Sequence, residues 1–403
     1  MPNVMRRAYV VGTCDTKGEE LRYVRDLLAE AGLPTCLVDV GTRSRARDVD
    51  VTSAEVAAFG PQGAAVLDFD DRGRAVTGMS EALAAFLLTR KDLGGIVGLG
   101  GSGNTTLVTH AMRALPLGVP KLMVSTVCAG NIAPYVGGSD IAMLYAVTDV
   151  AGLNSISRVI LANAAHALYG MMARPLPAAR ASKPAVALTM FGVTTPCVTA
   201  IRKDLEADFD CLVFHATAQG RKAVEKLAGS EWLAGQLEIT TTQLAVFTPG
   251  FERQNPDYFE PAICARLPLV GSVGAQDMLN FGPPETIPAH LKHRLFYRHN
   301  AFATLMRTNR DENAAIGRWL GEQLNRFESP VRMLLPERGV SAIDAEGQPF
   351  FDPEADAALF ENLERTVKAT KDRRVLRVPH HLNAPEFARA AVEEFLSIVS
   401  ARS

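Results

Sequence analysis

Residues 95–115 read GIVGLGGSGNTTLVTHAMRAL. An apolar, β-prone run (95–100) closes on a cluster of glycines, and a helical pattern (105–115) follows almost at once. Gly98, Gly100 and Gly103 satisfy GxGxxG after a strand and before a helix, which is the context the motif requires. Backbone amides that carry no Cβ can approach an anion closely. The helix behind them adds unpaired N–H groups and the positive end of its dipole. Gly101 widens the bare stretch, and Ser102, Asn104, Thr105 and Thr106 supply further donors. The stretch therefore predicts a strand, a phosphate-seating turn and a helix. A tight strand-to-helix turn with no ligand would use the same glycines.

Working outward, the first half alternates short β-rich runs with longer helical patterns. The runs are 8–12 (AYVVG), 35–40 (TCLVDV), 64–69 (AAVLDF), 95–100 and 121–126 (KLMVST); the helical patterns are 18–32, 53–59, 79–90, 105–115 and 154–172. Near-continuous apolar strands between helices predict a parallel sheet covered on both faces. A segment rich in Pro, Ala and Arg, 173–184, reads as a linker. The alternation then restarts. Strands are expected at 184–192, 211–217, 267–274, 331–337 and 374–380, and helices at 196–207, 218–229, 313–327, 353–369 and 384–401. The fold class is α/β, with two doubly wound, Rossmann-like parallel-sheet domains: residues 1–178 for nucleotide binding, and 185–403.

In such sheets ligands bind beyond the carboxyl ends of the strands. Five expected ends are rich in Gly, Thr, Ser, Asp or Lys: GTCDTKG (12–18), DVGTRSR (39–45), DFDDRG (68–73), GLGGSGN (98–104) and STVCAGN (125–131). Beside Gly12 and Thr13 in the first, Lys17 can neutralise phosphate and Asp15 can hold Mg²⁺. Asp15 or Thr16 also reads as a helix N-cap. The glycine motif follows the fourth expected strand, no acidic residue closes the next one, and GxxxxGK[ST] is absent. A mononucleotide held by its phosphates fits better than NAD. Cys128 has neither a helix nor a base to activate it and reads as a small buried thiol. Asp140, Thr148 and Asp149 read as contact or capping groups. In the second half, Asp277, Glu337, Arg338, Ser341, His380 and His381 converge if that sheet is doubly wound. Adjacent His380 and His381 point opposite ways on an extended chain, and His299 has no partner at ligand spacing.

The bulk properties agree with this reading. The chain has 403 residues, 47% of them apolar and 21% charged, which suits two soluble domains. A net charge of −2 offers no basic footprint for nucleic acid or an anionic membrane. Six cysteines without a CxxC pair point to reduced thiols in a cytoplasmic protein. The apolar run after Arg6 and Arg7 is too short for a signal peptide, and no run reaches the roughly 20 residues of a membrane span.

Several strings together resemble one conserved, largely uncharacterised family, which includes the N-terminal ATP-binding domain of the tomato mosaic virus resistance protein. They are VGTCDTKGEEL (11–21), GLGGSGNTTL (98–107), the long stretch 121–171, MFGVTTPCV (190–198), VGSVGAQDMLNFGP (270–283), HNAFATLMRTN (299–309) and LLPERGVSAIDAEGQPFFDPEA (334–355). The resemblance spans nearly the whole chain. It implies two Rossmann-like subdomains, ATP binding and self-association as a homodimer. In plants the region is fused to a TIM barrel resembling phosphoenolpyruvate-using enzymes, so a separate barrel protein is implied as a partner here. The loops 12–17 and 98–104 match the family's motifs. At 238–254 the chain departs from them: Glu238 stands for an aspartate, Gln243 for a glutamate, and a glycine pair is missing. If that glutamate were a general acid or base, this chain would lack it.

Overall fold

The computed structural model describes residues 6–44, 46–174, 183–228, 233–241 and 258–399. By contact the chain forms two compact units, Met1–Ala179 and Arg180–Ser403. The expected linker falls mostly on residues outside the described ones.

The first unit runs β1 (Arg7–Gly12), α1 (Cys14–Glu30), β2 (Thr35–Asp39), α2 (Ser53–Ala57), α3 (Arg72–Thr89), β3 (Leu93–Gly100), α4 (Ser102–Ala114), β4 (Lys121–Ser125), α5 (Ala133–Val136), β5 (Ala142–Tyr145) and α6 (Ser155–Ala173). All five strands are parallel, in the order β2-β1-β3-β4-β5. Alternate residues of β1 serve opposite faces. Tyr9 and Val11 join Met79, Leu83 and Leu87 of α3 and Leu107 and Met112 of α4. Ala8 and Val10 join Leu21, Val24 and Leu28 of α1 and Leu161 and Leu168 of α6. Strands β1 to β4 thus lose both faces to helices, which is why they read as unbroken apolar runs.

Two expectations fail in this unit. Residues 64–69 are not a strand; Gly63–Asp68 is a 3₁₀ helix of which only Val66 is buried. The fifth strand is instead 142–145, so the glycine loop follows the third strand, not the fourth. Asp140 owes its place to packing: its carboxylate lies 2.6 Å from Nζ of the fully buried Lys121.

The second unit contains β6 (Ala185–Met190), α7 (Thr195–Leu205), β7 (Asp210–His215), α8 (Ala218–Ala228), β8 (Leu233–Thr240), α9 (Glu260–Cys264), β9 (Leu269–Gly274), β10 (Met278–Phe281), β11 (Phe296–Arg298), β12 (Thr304–Arg307), α10 (Arg310–Leu324), β13 (Val331–Pro336), α11 (Pro353–Thr366), β14 (Arg373–Val378) and α12 (Pro385–Val399). Its parallel sheet has the order β14-β13-β9-β8-β6-β7, the same winding as the first unit with one strand added. Helices α7 and α12 cover one face, and α10 and α11 the other. Two features escape the sequence reading. Strand β8 lies inside this sheet, and a small antiparallel sheet, β10-β12-β11, follows β9.

Candidate functional site

The strand order of the first sheet reverses between β1 and β3. Ligands of open α/β sheets bind in the crevice that such a reversal leaves beyond the carboxyl ends. Both loops singled out from the sequence flank this point. A cleft of about 520 Å³ opens there, lined among others by Thr13, Asp15, Thr16 and Lys17 from one loop and Gly101, Ser102, Gly103 and Asn104 from the other.

The remaining candidates do not line it. A Cβ on Gly98 would lie 2.7 Å from Val108, and one on Gly12 2.9 Å from Leu21, so both glycines serve close packing. Gly100, at φ +149°, turns the chain out of the strand. The Thr105 hydroxyl is buried against the Gly101 carbonyl (2.8 Å) and Ser125 Oγ (2.6 Å). Thr106 donates to the Ser102 carbonyl at 2.9 Å. The α1 cap also differs from expectation. Asp15 and Thr16 lie inside the helix, and its N-cap is Thr13, which makes no side-chain capping bond.

The cleft's electrostatics come from its amides and its free charges. Helix α4 starts on Gly101 without a side-chain cap, which leaves the first-turn amides of Ser102, Gly103 and Asn104 open to a ligand. Helix α1 also begins at this space, but Cys14 N–H is spent on Asp39 and Thr16 and Lys17 N–H on the Thr13 carbonyl, which leaves the Asp15 amide. Asp39, fully buried, fixes the neighbouring loops: its Oδ1 accepts from the amides of Cys14 and Gly41, each at 3.0 Å. Its Oδ2, and Oδ1 of Asn104, are buried without a hydrogen-bond partner among the described residues. Burial and Asp39 push the Cys14 thiol up to about 12, so it is no nucleophile.

The sequence reading did not select Arg43 and Arg72, which enter the cleft from the β2–α2 crossover and the start of α3. With Lys17 they make three cations that have no ion-pair partner among the described residues. Asp149 is also on the rim, while Phe69, Val76 and Leu107 form an apolar wall. The strings DVGTRSR and DFDDRG held the signal for both arginines, but only the winding brings them to the glycine loop. No group of three or more His, Cys, Asp or Glu side chains among the described residues could hold a metal unaided. Nor is any described helix long and apolar enough to cross a membrane.

The second unit joins some of its candidates and separates others. Ser341 Oγ donates to Asp277 at 2.8 Å, and its carbonyl lies 2.9 Å from His381 Nε2. Asp277 is fully buried, out of a ligand's reach. Cys128 is only half-buried, and burial raises its thiol above the ordinary range. The departing segment 238–254 lies beyond the described residues from position 242 onward, Gln243 included. Glu238 itself sits in β8, buried, accepting from Tyr258 Oη at 2.5 Å and from Gln236. Burial pushes its carboxyl up to about 7. A carboxyl raised on folding holds its proton in the native state while the unfolded chain has lost it. Stability therefore falls as pH rises from the ordinary glutamate range toward 7. We expect Glu238→Gln to flatten the loss of unfolding free energy between pH 5 and pH 8, read from urea unfolding, by on the order of 3 kcal/mol. An unchanged pH slope would refute this.

The profile of the Uncharacterised protein family (UPF0261) N-terminal domain matches residues 6–176, and that of its C-terminal domain matches residues 183–399. A UPF0261 protein of Rhizobium meliloti is 55% identical over 98% of this chain and 100% of its own length. One from Clostridium tetani is 41% identical over 98% of this chain and 99% of its own length. The ToMV resistance protein Tm-1 of Solanum lycopersicum is 38% identical over 97% of this chain, which spans 56% of the tomato protein. Among solved structures, the UDP-GlcNAc 2-epimerase of Methanocaldococcus jannaschii aligns over 66% of this chain and 83% of its own, at 9% identity and a TM-score of 0.22. A likeness that slight carries no argument about function.

Proposed function

The chain belongs to the uncharacterised protein family UPF0261, and from that premise we propose that its first unit binds a nucleotide carrying several phosphates, ATP foremost. One observation carries the reading. Two helix starts open on a single cleft at the reversal of strand order, beside three cations with no partner among the described residues. Phosphates lie against the amides of Ser102 to Asn104, with Lys17, Arg43 and Arg72 balancing their charge. Mg²⁺ comes in on the phosphates, and Asp15 is its protein contact. The base lies along Phe69, Val76 and Leu107.

A thermal-shift series with ATP, ADP, AMP and inorganic phosphate tests this. ATP and ADP are expected to raise the melting temperature more than AMP, and Lys17→Ala or Arg72→Ala to shrink the rise. No shift with any nucleotide would end the proposal. Phosphate release that needs Mg²⁺ and stops with Asp15→Ala would extend it to a phosphate-transferring or hydrolysing enzyme.

We also propose that the protein is a homodimer. Helix α6 leaves Ile156 47% and Val159 59% exposed, apolar area of the kind that marks an association surface. Val159→Asp is expected to turn dimer into monomer in sedimentation; a wild-type monomer would refute the reading. A separate barrel protein is the proposed working partner, supported by the greater length of the tomato relatives. A cytoplasmic site is proposed from the free cysteines.

A further inference from the structure

The second unit has its own cavity, about 620 Å³, at the carboxyl ends of β13 and β14. It is built from the β13–α11 loop, the start of α11 and the turn after β14. Which of its charges are already spent narrows what it can hold. Arg377 is committed: it makes two bonds to Glu364, both 2.8 Å, and one to Glu337 at 3.4 Å. Asp356 is buried and taken by Arg307 at 2.9 Å. Both ring nitrogens of His381 are in use. One meets the Ser341 carbonyl at 2.9 Å, and the other accepts from the Asn383 amide at 3.0 Å.

Two charges remain, of opposite sign. Arg338 and Glu346 both line the cavity, both are exposed, and neither has an ion-pair partner among the described residues. The amides of Arg338 and Gly339 make no backbone hydrogen bond among the described residues, which adds donors beside the guanidinium. The wall is apolar: Phe360 is buried, and Phe351 keeps 42% of its surface open. A polyphosphate would meet the carboxylates of Glu337 and Glu346. A simple acid would leave Glu346 unmatched, and a simple amine would leave Arg338 unmatched.

We propose that this cavity binds a small zwitterion with an apolar body, an aromatic amino acid in chemical class. Its carboxylate pairs with Arg338, its ammonium with Glu346, and its ring packs on Phe351 and Phe360. The assignment rests on residues of the second unit alone and does not depend on the nucleotide reading.

Calorimetry on the full chain tests it with L-phenylalanine, 3-phenylpropionate and phenethylamine. L-Phenylalanine binds, and losing either charge from the ligand weakens binding by about tenfold or more. Arg338→Gln and Glu346→Gln each cost a similar factor, with the unfolding midpoint unmoved because both side chains are exposed. Failure of both L-phenylalanine and L-tyrosine to bind at millimolar concentration overturns the assignment. So does equal binding of the three phenyl compounds, or indifference to both charge-removing variants.

Discussion

Gly101→Trp is expected to leave the protein folded and to abolish its stabilisation by ATP. The two halves of this result have separate causes. At φ −84° and ψ −167° the Gly101 backbone is open to any residue, and an added Cβ would meet nothing nearer than Thr126 Oγ1 at 3.7 Å. The unfolding midpoint without ligand therefore stays close to wild type. Gly101 lines the cleft, so the indole is expected there, against the amides proposed to seat the phosphates. Nucleotide at a hundredfold excess over its dissociation constant stabilises a binding protein by about 2.7 kcal/mol. Wild type should show that gain and the variant no more than about 0.4 kcal/mol, which corresponds to an affinity loss of about a hundredfold or more. Gly100→Trp is the contrast. There φ is +149° and the new Cβ would lie 2.9 Å from Asn104, so the fold itself should suffer. If Gly101→Trp keeps wild-type affinity, the glycine loop is not the phosphate seat.

The largest stability effect is expected at Arg307. It is 4% exposed and meets Asp356 at 2.9 Å and Asp344 at 3.5 Å, with its Nε donating to the Phe350 carbonyl at 2.7 Å. Asp277, fully buried nearby, is held to Ser341. Burial, and after it the charge of Asp344, raises the carboxyls of Asp277 and Asp356 well above the usual aspartate range. Removing one partner of a buried ion pair typically costs about 3–5 kcal/mol, because the other charge stays buried and unmatched. Arg307→Met should lower stability by about that amount at pH 8. At pH 5 the loss should be smaller, since Asp277, raised by burial into the range between, is then protonated and leaves less charge to compensate. Adding Asp277→Asn should recover part of the loss at pH 8, where that carboxyl is ionised. Equal midpoints for wild type and Arg307→Met at pH 8 would show that the cluster does not need its cation.

Much of this molecule was legible in the chain. Strands buried on both faces leave unbroken apolar runs, and the helices between them leave their own period, so parallel α/β layering follows from local pattern. The misreadings have definite causes. Residues 64–69 have the composition of a strand, but they pack on α2 and α3 and pair with no strand among the described residues. Strand β8 was hidden by Gln236 and Glu238, polar residues two apart that share one face and bond to each other. Such a pair is tolerable in a core only because its partners are supplied there, and Tyr258 comes from 20 residues away.

By itself, then, the sequence determined the layering and the turn out of β3, because both follow from residues adjacent in the chain. Lateral order was decided only by the tertiary structure. Every parallel strand offers the same backbone edges, and which two become neighbours depends on how the crossover helices pack. That choice set β1 beside β3, brought Lys17 to the glycine loop, and carried Arg43 and Arg72 into the same cleft. It also gathered Asp277, Asp344 and Asp356 around one arginine, a grouping that no spacing along the chain could announce.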